Sequence, residues 1–172
     1  MKNIFLLVVA VLLLGVVLSC SQAEPKKILV LVKEPAAKAP VQARIFFTSK
    51  DAEQALKKDR PAKYRINPEE EFAIGHQIKN GGSESRVVEL VLTIVMDFHG
   101  AIEWKIRPFS SEPQYPFAPN PQGPAHLFLP EGGTDYIVVV LTLPEGYRGT
   151  SVSVFLNVNE TNCTEIENCP WG

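Results

Sequence analysis

SRVVELVLTIVMDF, residues 85–98, decides the architecture of this chain. Val88, Leu90, Leu92, Ile94 and Met96 recur at every second position. Successive side chains of a strand point to opposite faces, so this spacing buries one face of a long β-strand. A helix would need apolar residues at three- and four-residue intervals. Gly100 follows as a turn, and Ala101–Arg107 carries Ile102, Trp104 and Ile106 on one face, the pattern of a hairpin partner. Upstream, Phe72–Lys79 alternates Phe72, Ile74, His76 and Ile78, and Asn80-Gly81-Gly82-Ser83 has the composition of a turn.

Downstream, Ala125–Leu129, Asp135–Leu143 and Thr150–Val158 read as further strands. Pro130-Glu131-Gly132-Gly133 and the turn from Pro144 to Gly149 separate them. Toward the N-terminus, Lys26–Lys33 is a strand whose Ile28–Val32 core is apolar on both faces. Ala36–Pro40 is a tether or turn, and Val41–Thr48 a second strand. Asp51–Asp59 is the one helix candidate, with Asp51 as cap, Gln54 three residues on and Pro61 as stop. About eight strands joined by Gly/Pro turns predict an all-β sandwich with one short helix.

The order of these features from Arg65 to Val158 resembles the bacterial immunoglobulin-like accessory domains. The resemblance is carried by strand Phe72–Lys79, Asn80-Gly81, strand Val87–Met96 and Ile102-Glu103-Trp104. It continues through Leu129-Pro130-Glu131-Gly132, Tyr136–Leu143, Pro144, and Gly149 before Val152–Val158. It implies an immunoglobulin-like β-sandwich spanning residues 26–158, best matched over 65–158. It also implies a role beside catalytic or carbohydrate-binding modules, or in cell-surface and adhesion-related proteins. A fold of this kind hosts many functions, so the role is the weaker implication.

The first residues carry a different message. Lys2 precedes Ile4–Leu18, a run with no charge, which ends in Val17-Leu18-Ser19-Cys20 before Ser21-Gln22-Ala23-Glu24-Pro25 turns polar. The run falls short of the roughly 20 apolar residues of a bilayer span and has the layout of a signal peptide. Val17–Cys20 resembles the lipobox of bacterial lipoprotein precursors. That resemblance implies removal of residues 1–19, lipidation of Cys20, a tether over 20–25 and, with Ser21 next, an outer-membrane address in the cell envelope. The rival is simple cleavage after Ala23. The count of three cysteines favours the first, since a lipid on Cys20 leaves Cys163 and Cys169 as a pair. In an oxidising compartment those two are expected as a disulfide tying the tail 159–172.

Charge is mild overall, at −2, but uneven. Residues 26–65 hold 11 Lys/Arg against 4 Asp/Glu, and residues 66–172 hold 5 against 14. Either the basic part is attracted to anionic head groups, or the two parts complement each other within one fold. Nothing points to nucleic acid, since no Arg-aromatic stripe is present.

Catalytic constellations are equally scarce. His76, His99 and His126 have no metal-ligand spacing, and Cys163 and Cys169 lack the CxxC spacing of zinc or redox sites. No phosphate loop or GxSxG nucleophile occurs. Glu69-Glu70-Glu71 reads as an acidic strand entry, and Asp97 and Glu103 as charges flanking the Gly100 turn. The expectation is a protein without catalytic residues, metal or cofactor.

Pro108–Pro124 stands out instead, with six prolines in 17 residues interleaved with Phe109, Tyr115 and Phe117. Such a loop either presents its aromatics to a partner or folds them over one end of the sandwich. Phe109, Tyr115 and Phe117, with Trp104, are the candidate binding residues. The expected function is a lipid-anchored, non-enzymatic interaction or structural module with an envelope protein partner. The alternative is an accessory that binds carbohydrate or cell-wall polymer.

Overall fold

A computed structural model of the chain describes residues 26–46, 60–98, 100–120 and 123–169. Eleven strands fall within them: β1 (Ile28–Val32), β2 (Ala36–Ala37), β3 (Val41–Ile45), β4 (Ala62–Ile66), β5 (Glu71–Asn80) and β6 (Arg86–Met96). These are followed by β7 (Glu103–Pro108), β8 (Phe117–Ala118), β9 (Ala125–Leu129), β10 (Thr134–Thr142) and β11 (Ser151–Glu160). A single 3-10 turn, Ile166–Asn168, is the helical element among the described residues. The predicted helix Asp51–Asp59 lies outside them.

The strands form two packed sheets, the all-β sandwich expected from the sequence. The larger has the order β4-β1-β11-β6-β9-β8, with β2 also paired to β11. The smaller has the order β3-β5-β10-β7. The first strand lies parallel to the last, Leu29 opposite Ser151 and Val32 opposite Val154. From β5 to β11 the chain changes sheet at every connection except β8 to β9.

This corrects the hairpin reading of Gly100. Strand β7 pairs with β10 in the smaller sheet, Trp104 opposite Leu141, while β6 pairs with β11 and β9 in the larger. Gly/Pro composition marks a change of direction but does not distinguish a hairpin from an arch between layers. The alternation of Ile102, Trp104 and Ile106 identifies a buried face, and that face serves equally well in either sheet. The tether reading of Ala36–Pro40 is also refined, since Ala36 and Ala37 pair with Asn157 and Val158.

Burial follows the period-2 pattern closely. Ile28, Val30 and Val32 of β1, Val88 and Leu90 of β6, and Val152, Val154 and Leu156 of β11 face Ile74 and Ile78 of β5 and Ile137, Val139 and Leu141 of β10. Burying each such side chain contributes about 1.5–3 kcal/mol. His76 occupies one of these inward positions and is 2 % exposed. Desolvation lowers its pKa to about 4, offset in part by its Nδ1 contact with the Ile74 carbonyl at 3.2 Å.

Two polar fastenings hold opposite ends of the sandwich. At one, Asn80 is fully buried and its Nδ2 donates to the carbonyls of Glu84 (2.7 Å), Leu129 (3.3 Å) and Pro130 (3.0 Å). Its Oδ1 accepts from Gly82 N at 2.9 Å, and Gly81 N donates to Pro40 O at 3.0 Å. Two connections between layers, β5–β6 and β9–β10, therefore meet at the Asn80 side chain, and the Gly81 backbone ties in the one before β3. At the other end, Asp97 accepts from the backbone N–H groups of Thr150 (2.9 Å) and Ser151 (3.0 Å) and from the Thr150 hydroxyl.

The arches themselves repeat a device. Pro130-Glu131-Gly132-Gly133 and Pro144-Glu145-Gly146-Tyr147 each close with the fourth N–H on the proline carbonyl, at 2.9 and 3.2 Å. The third residue is glycine at φ 65° and 71°, as a type II turn requires.

Cys163 and Cys169 form a disulfide, with Cα atoms 5.4 Å apart. The closed tail packs Ile166 and Cys169 on Val87 and, at its margin, Phe128 and Ala118, on the outside of the larger sheet. It is a covering layer over β6, β8 and β9.

Candidate functional site

The outward positions of the smaller sheet carry the aromatic surface of the molecule. On β3, Val41 and Ile45 point inward, so Gln42 and Arg44 point out, and Phe46 continues the row. Their neighbours are Lys79 and Gln77 of β5 and Tyr136 of β10, with Arg44 opposite Gln77 and Gln77 opposite Tyr136. Phe109, just past β7, donates its N–H to Tyr136 O at 2.9 Å and so sits at the end of the same row.

Three rings meet there. Phe46 packs edge-on against Tyr136 at 5.0 Å and against Phe109 at 5.6 Å between centroids. Phe109 remains 50 % exposed and Tyr136 37 % exposed. Water-exposed aromatic edges and faces of this kind offer apolar area with few rotatable bonds to immobilise. The arrangement suits contact with a flat or ring-shaped partner.

A hydrogen-bonding chain leads into the cluster. Arg44 Nε donates to Gln77 Oε1, and Gln77 Nε2 donates to Tyr136 Oη at 2.7 Å. Gln77 thus occupies an acceptor lobe of the phenol and leaves its hydroxyl proton free to donate. Beside it, Gln42, Ala43, Arg44, Gln77 and Lys79 line a groove of about 270 Å³. Amide, guanidinium and ammonium donors thus lie along one edge of the rings, and among the described residues no carboxylate lines the groove.

The sequence-named aromatics divide. Phe109 is part of this surface. Trp104, Tyr115 and Phe117 are half-buried and pack against the main core. Tyr115 is fixed further through Asp135, a mostly buried carboxylate that accepts N–H groups from Tyr136 at 2.7 Å and from Tyr115. Desolvation raises the Asp135 pKa, and those two donors oppose the rise. Phe117 begins β8, opposite Leu127. Of the proline-rich segment, these two rings cover the end of the sandwich, and Phe109 faces outward.

Phe46, Tyr136, Arg44 and Gln77 join the surface without any local sequence motif that marks them as a site. Strand parity alone marks Arg44, Gln77 and Tyr136 as outward-facing. Placing them side by side requires the β3-β5-β10 register, which no local pattern encodes.

The remaining candidates do not converge. Asp97 is held well below the usual carboxylate range, at about 2, first by the Thr150 hydroxyl and then by the Thr150 and Ser151 N–H groups. Glu103 lies in the other sheet, opposite Thr142. Glu70 accepts from Asn67 at 3.1 and 3.2 Å, and Glu71 pairs with Lys105 at 3.3 Å. His76 points into the core, His126 lies on β9 of the other sheet, and His99 is outside the described residues. Among the described residues no group of three His, Cys, Asp or Glu could hold a metal ion. Cys20 lies outside the described residues. Comparison with known proteins finds no matching family model, no matching curated protein and no matching solved structure.

Proposed function

We propose that this chain is a non-enzymatic interaction module of the bacterial envelope. A lipid on Cys20 holds it at the outer membrane, and the Phe46–Phe109–Tyr136 surface meets its partner. The observation that carries the reading is the exposed triple of rings beside the Gln42–Arg44–Gln77–Lys79 groove. The anchor is supported by Val17-Leu18-Ser19-Cys20 after an uncharged run, and by the pairing of the other two cysteines. A photo-crosslinking amino acid at Phe109 tests it in living cells. A discrete protein adduct, lost on Phe46→Ala, is expected. No adduct at Phe109, or the same adducts from a probe at Glu103, contradicts it.

A second reading has its own support. Rings flanked by planar hydrogen-bonding groups are the means by which proteins hold sugars, and the Arg44–Gln77–Tyr136 chain supplies both. In this reading the module captures carbohydrate or cell-wall polymer, as the resemblance to immunoglobulin-like accessory domains implies. Binding to a defined glycan that Tyr136→Ala abolishes supports it, and silence across a glycan array opposes it.

A further inference from the structure

The outside of the larger sheet is the opposite face of the sandwich from the aromatic cluster. Inward Ile28, Val30 and Val32 alternate with outward Leu29 and Leu31, and inward Val152, Val154 and Leu156 with outward Ser151, Ser153 and Phe155. Register sets Arg65, Leu29 and Ser151 in one row, and Lys63, Leu31, Ser153 and Val95 in the next. Phe155 and Thr93 follow, with Lys33 Nζ 5.6 Å above the Phe155 ring centroid. Val95 is 57 % exposed.

The result is a strip of apolar side chains around Ser151 and Ser153, with cations along β4 and at the ends of β1. Leu29, Leu31, Val95 and Phe155 are its apolar members. Lys63 and Arg65 on β4, Lys33 after β1, and Lys26 and Lys27 before it supply five exposed cations. Between Glu89, the fourth residue of β6, and Asp97, just past its end, the outward positions of β4, β1, β11 and β6 carry no carboxylate. Asp97 is already engaged by Thr150 and Ser151. Lys and Arg lay their alkyl stems along apolar surface while their charges stay in water, an arrangement suited to a head-group boundary.

We infer that this strip rests on an anionic lipid bilayer. The inference builds on the proposed Cys20 anchor. Ser21–Pro25 is all that separates Cys20 from Lys26, so at full extension Lys26 is held within about 20 Å of the lipid and the start of β1 within about 28 Å. Charge selects the face presented at that range: here the cations of β4 and the ends of β1 stand without a carboxylate among them, whereas on the smaller sheet Lys105 pairs with Glu71 and Glu103 lies two residues away. Juxtamembrane cations are attracted by anionic head groups, and Leu, Val and Phe side chains add shallow apolar contact. The aromatic surface on the smaller sheet then points away from the membrane, toward a partner.

The test uses the full lipidated protein in phosphatidylglycerol-rich vesicles. A fluorophore is attached to Val95→Cys or, as the opposite-face control, Glu103→Cys. With Cys20 lipidated and Cys163–Cys169 bonded, the introduced thiol is the reactive one. The expected result is strong quenching by doxyl-labelled lipid at position 95, weak quenching at 103, and loss of the difference in Lys63→Glu/Arg65→Glu. Equal quenching at both positions overturns the inference. So does self-quenching at 95 without lipid quenching, which would make the occupant a second copy of the chain.

Intact mass reports separately on the anchor. If the mature chain proves unlipidated, flotation with the same vesicles at low salt, weakened roughly fivefold per cation neutralised to Gln, sustains the lipid-binding face without the anchor. Absence of flotation then overturns it.

Discussion

The Asn80 side chain donates from Nδ2 to the carbonyl oxygen of Pro130 at 3.0 Å, joining the arch after β5 to the arch after β9. Because the Asn80 backbone N–H also donates to Gly133 O at 2.8 Å, one residue ties both its strand and its side chain to the neighbouring connection. In a fold whose strands change sheet at almost every connection, such a tie does the work that a hairpin's ladder does elsewhere. It fixes how the two sheets meet at that end.

Replacing Asn80 with Ala removes those donors and leaves buried carbonyls unpaired. The expected loss is about 2–4 kcal/mol, since several buried hydrogen bonds go together. Asn80→Asp fares no better, because a carboxylate cannot donate to three carbonyls. Urea unfolding of the two variants checks this, and a change below about 0.5 kcal/mol would remove Asn80 from its role.

The sequence was legible where burial has a period and illegible where position depends on register. Val88–Met96, Phe72–Ile78 and Ile102–Ile106 each announced a buried face, and each has one. Asn80-Gly81 and Gly100 announced turns, yet which sheet the next strand joins is settled by long-range pairing. Ala62–Ile66 carries the same period, with Lys63 and Arg65 alternating with Ala62, Tyr64 and Ile66, but its pairing with β1 rather than with its neighbours in sequence is again set by long-range register. The aromatic surface shows the same limit: Phe109 was visible as a residue, whereas its neighbours Phe46 and Tyr136 come from distant strands.

The aromatics of the proline-rich segment separate by experiment. Tyr115→Ala and Phe117→Ala open space at the core margin, and each is expected to cost roughly 2–3 kcal/mol, below the range for fully buried rings. Phe109→Ala leaves stability within about 0.5 kcal/mol and abolishes partner contact. Thermal unfolding of the three variants distinguishes these outcomes.

Stability at mildly acid pH is governed in part by His76. Its folded pKa of about 4 lies below the ordinary 6.5, so the unfolded chain binds the proton more readily. The stability this neutral imidazole permits is complete above pH 6.5 and falls as pH drops toward 4. Asp97 has the carboxylate form of the same dependence, complete above 3.8 and lost as pH falls through about 2. His76→Gln is expected to flatten the upper window and leave the lower one. Unfolding midpoints measured across pH 2–8 read both windows in one series.

Gly149 packs where a side chain has no room. A Cβ there would stand 2.5 Å from the Tyr147 ring and hydroxyl and 2.6 Å from Asp97 Oδ1. Gly149→Ala therefore pushes apart Tyr147 and the Asp97 fastening, at a cost of about 1–3 kcal/mol. Amide exchange at Thr150 and Ser151 should accelerate in the variant, and unchanged exchange would show that the loop absorbs the methyl.

Reducing Cys163–Cys169 opens a short loop, so the effect on global stability is modest, about 2 kcal/mol. The local effect is larger, because Ile166 and Cys169 cover Val87. Amide exchange on β6 near Val87 should rise in Cys163→Ser/Cys169→Ser while β10 stays protected. Equal change on both strands would mean that the tail is part of the cooperative core.

The proposed envelope role depends most directly on the lipid at Cys20, which intact-mass spectrometry of the protein extracted from membranes measures. The predicted result is a chain of residues 20–172 carrying lipid, with the lipid lost in Cys20→Ser. An unlipidated chain beginning at Glu24 would contradict it.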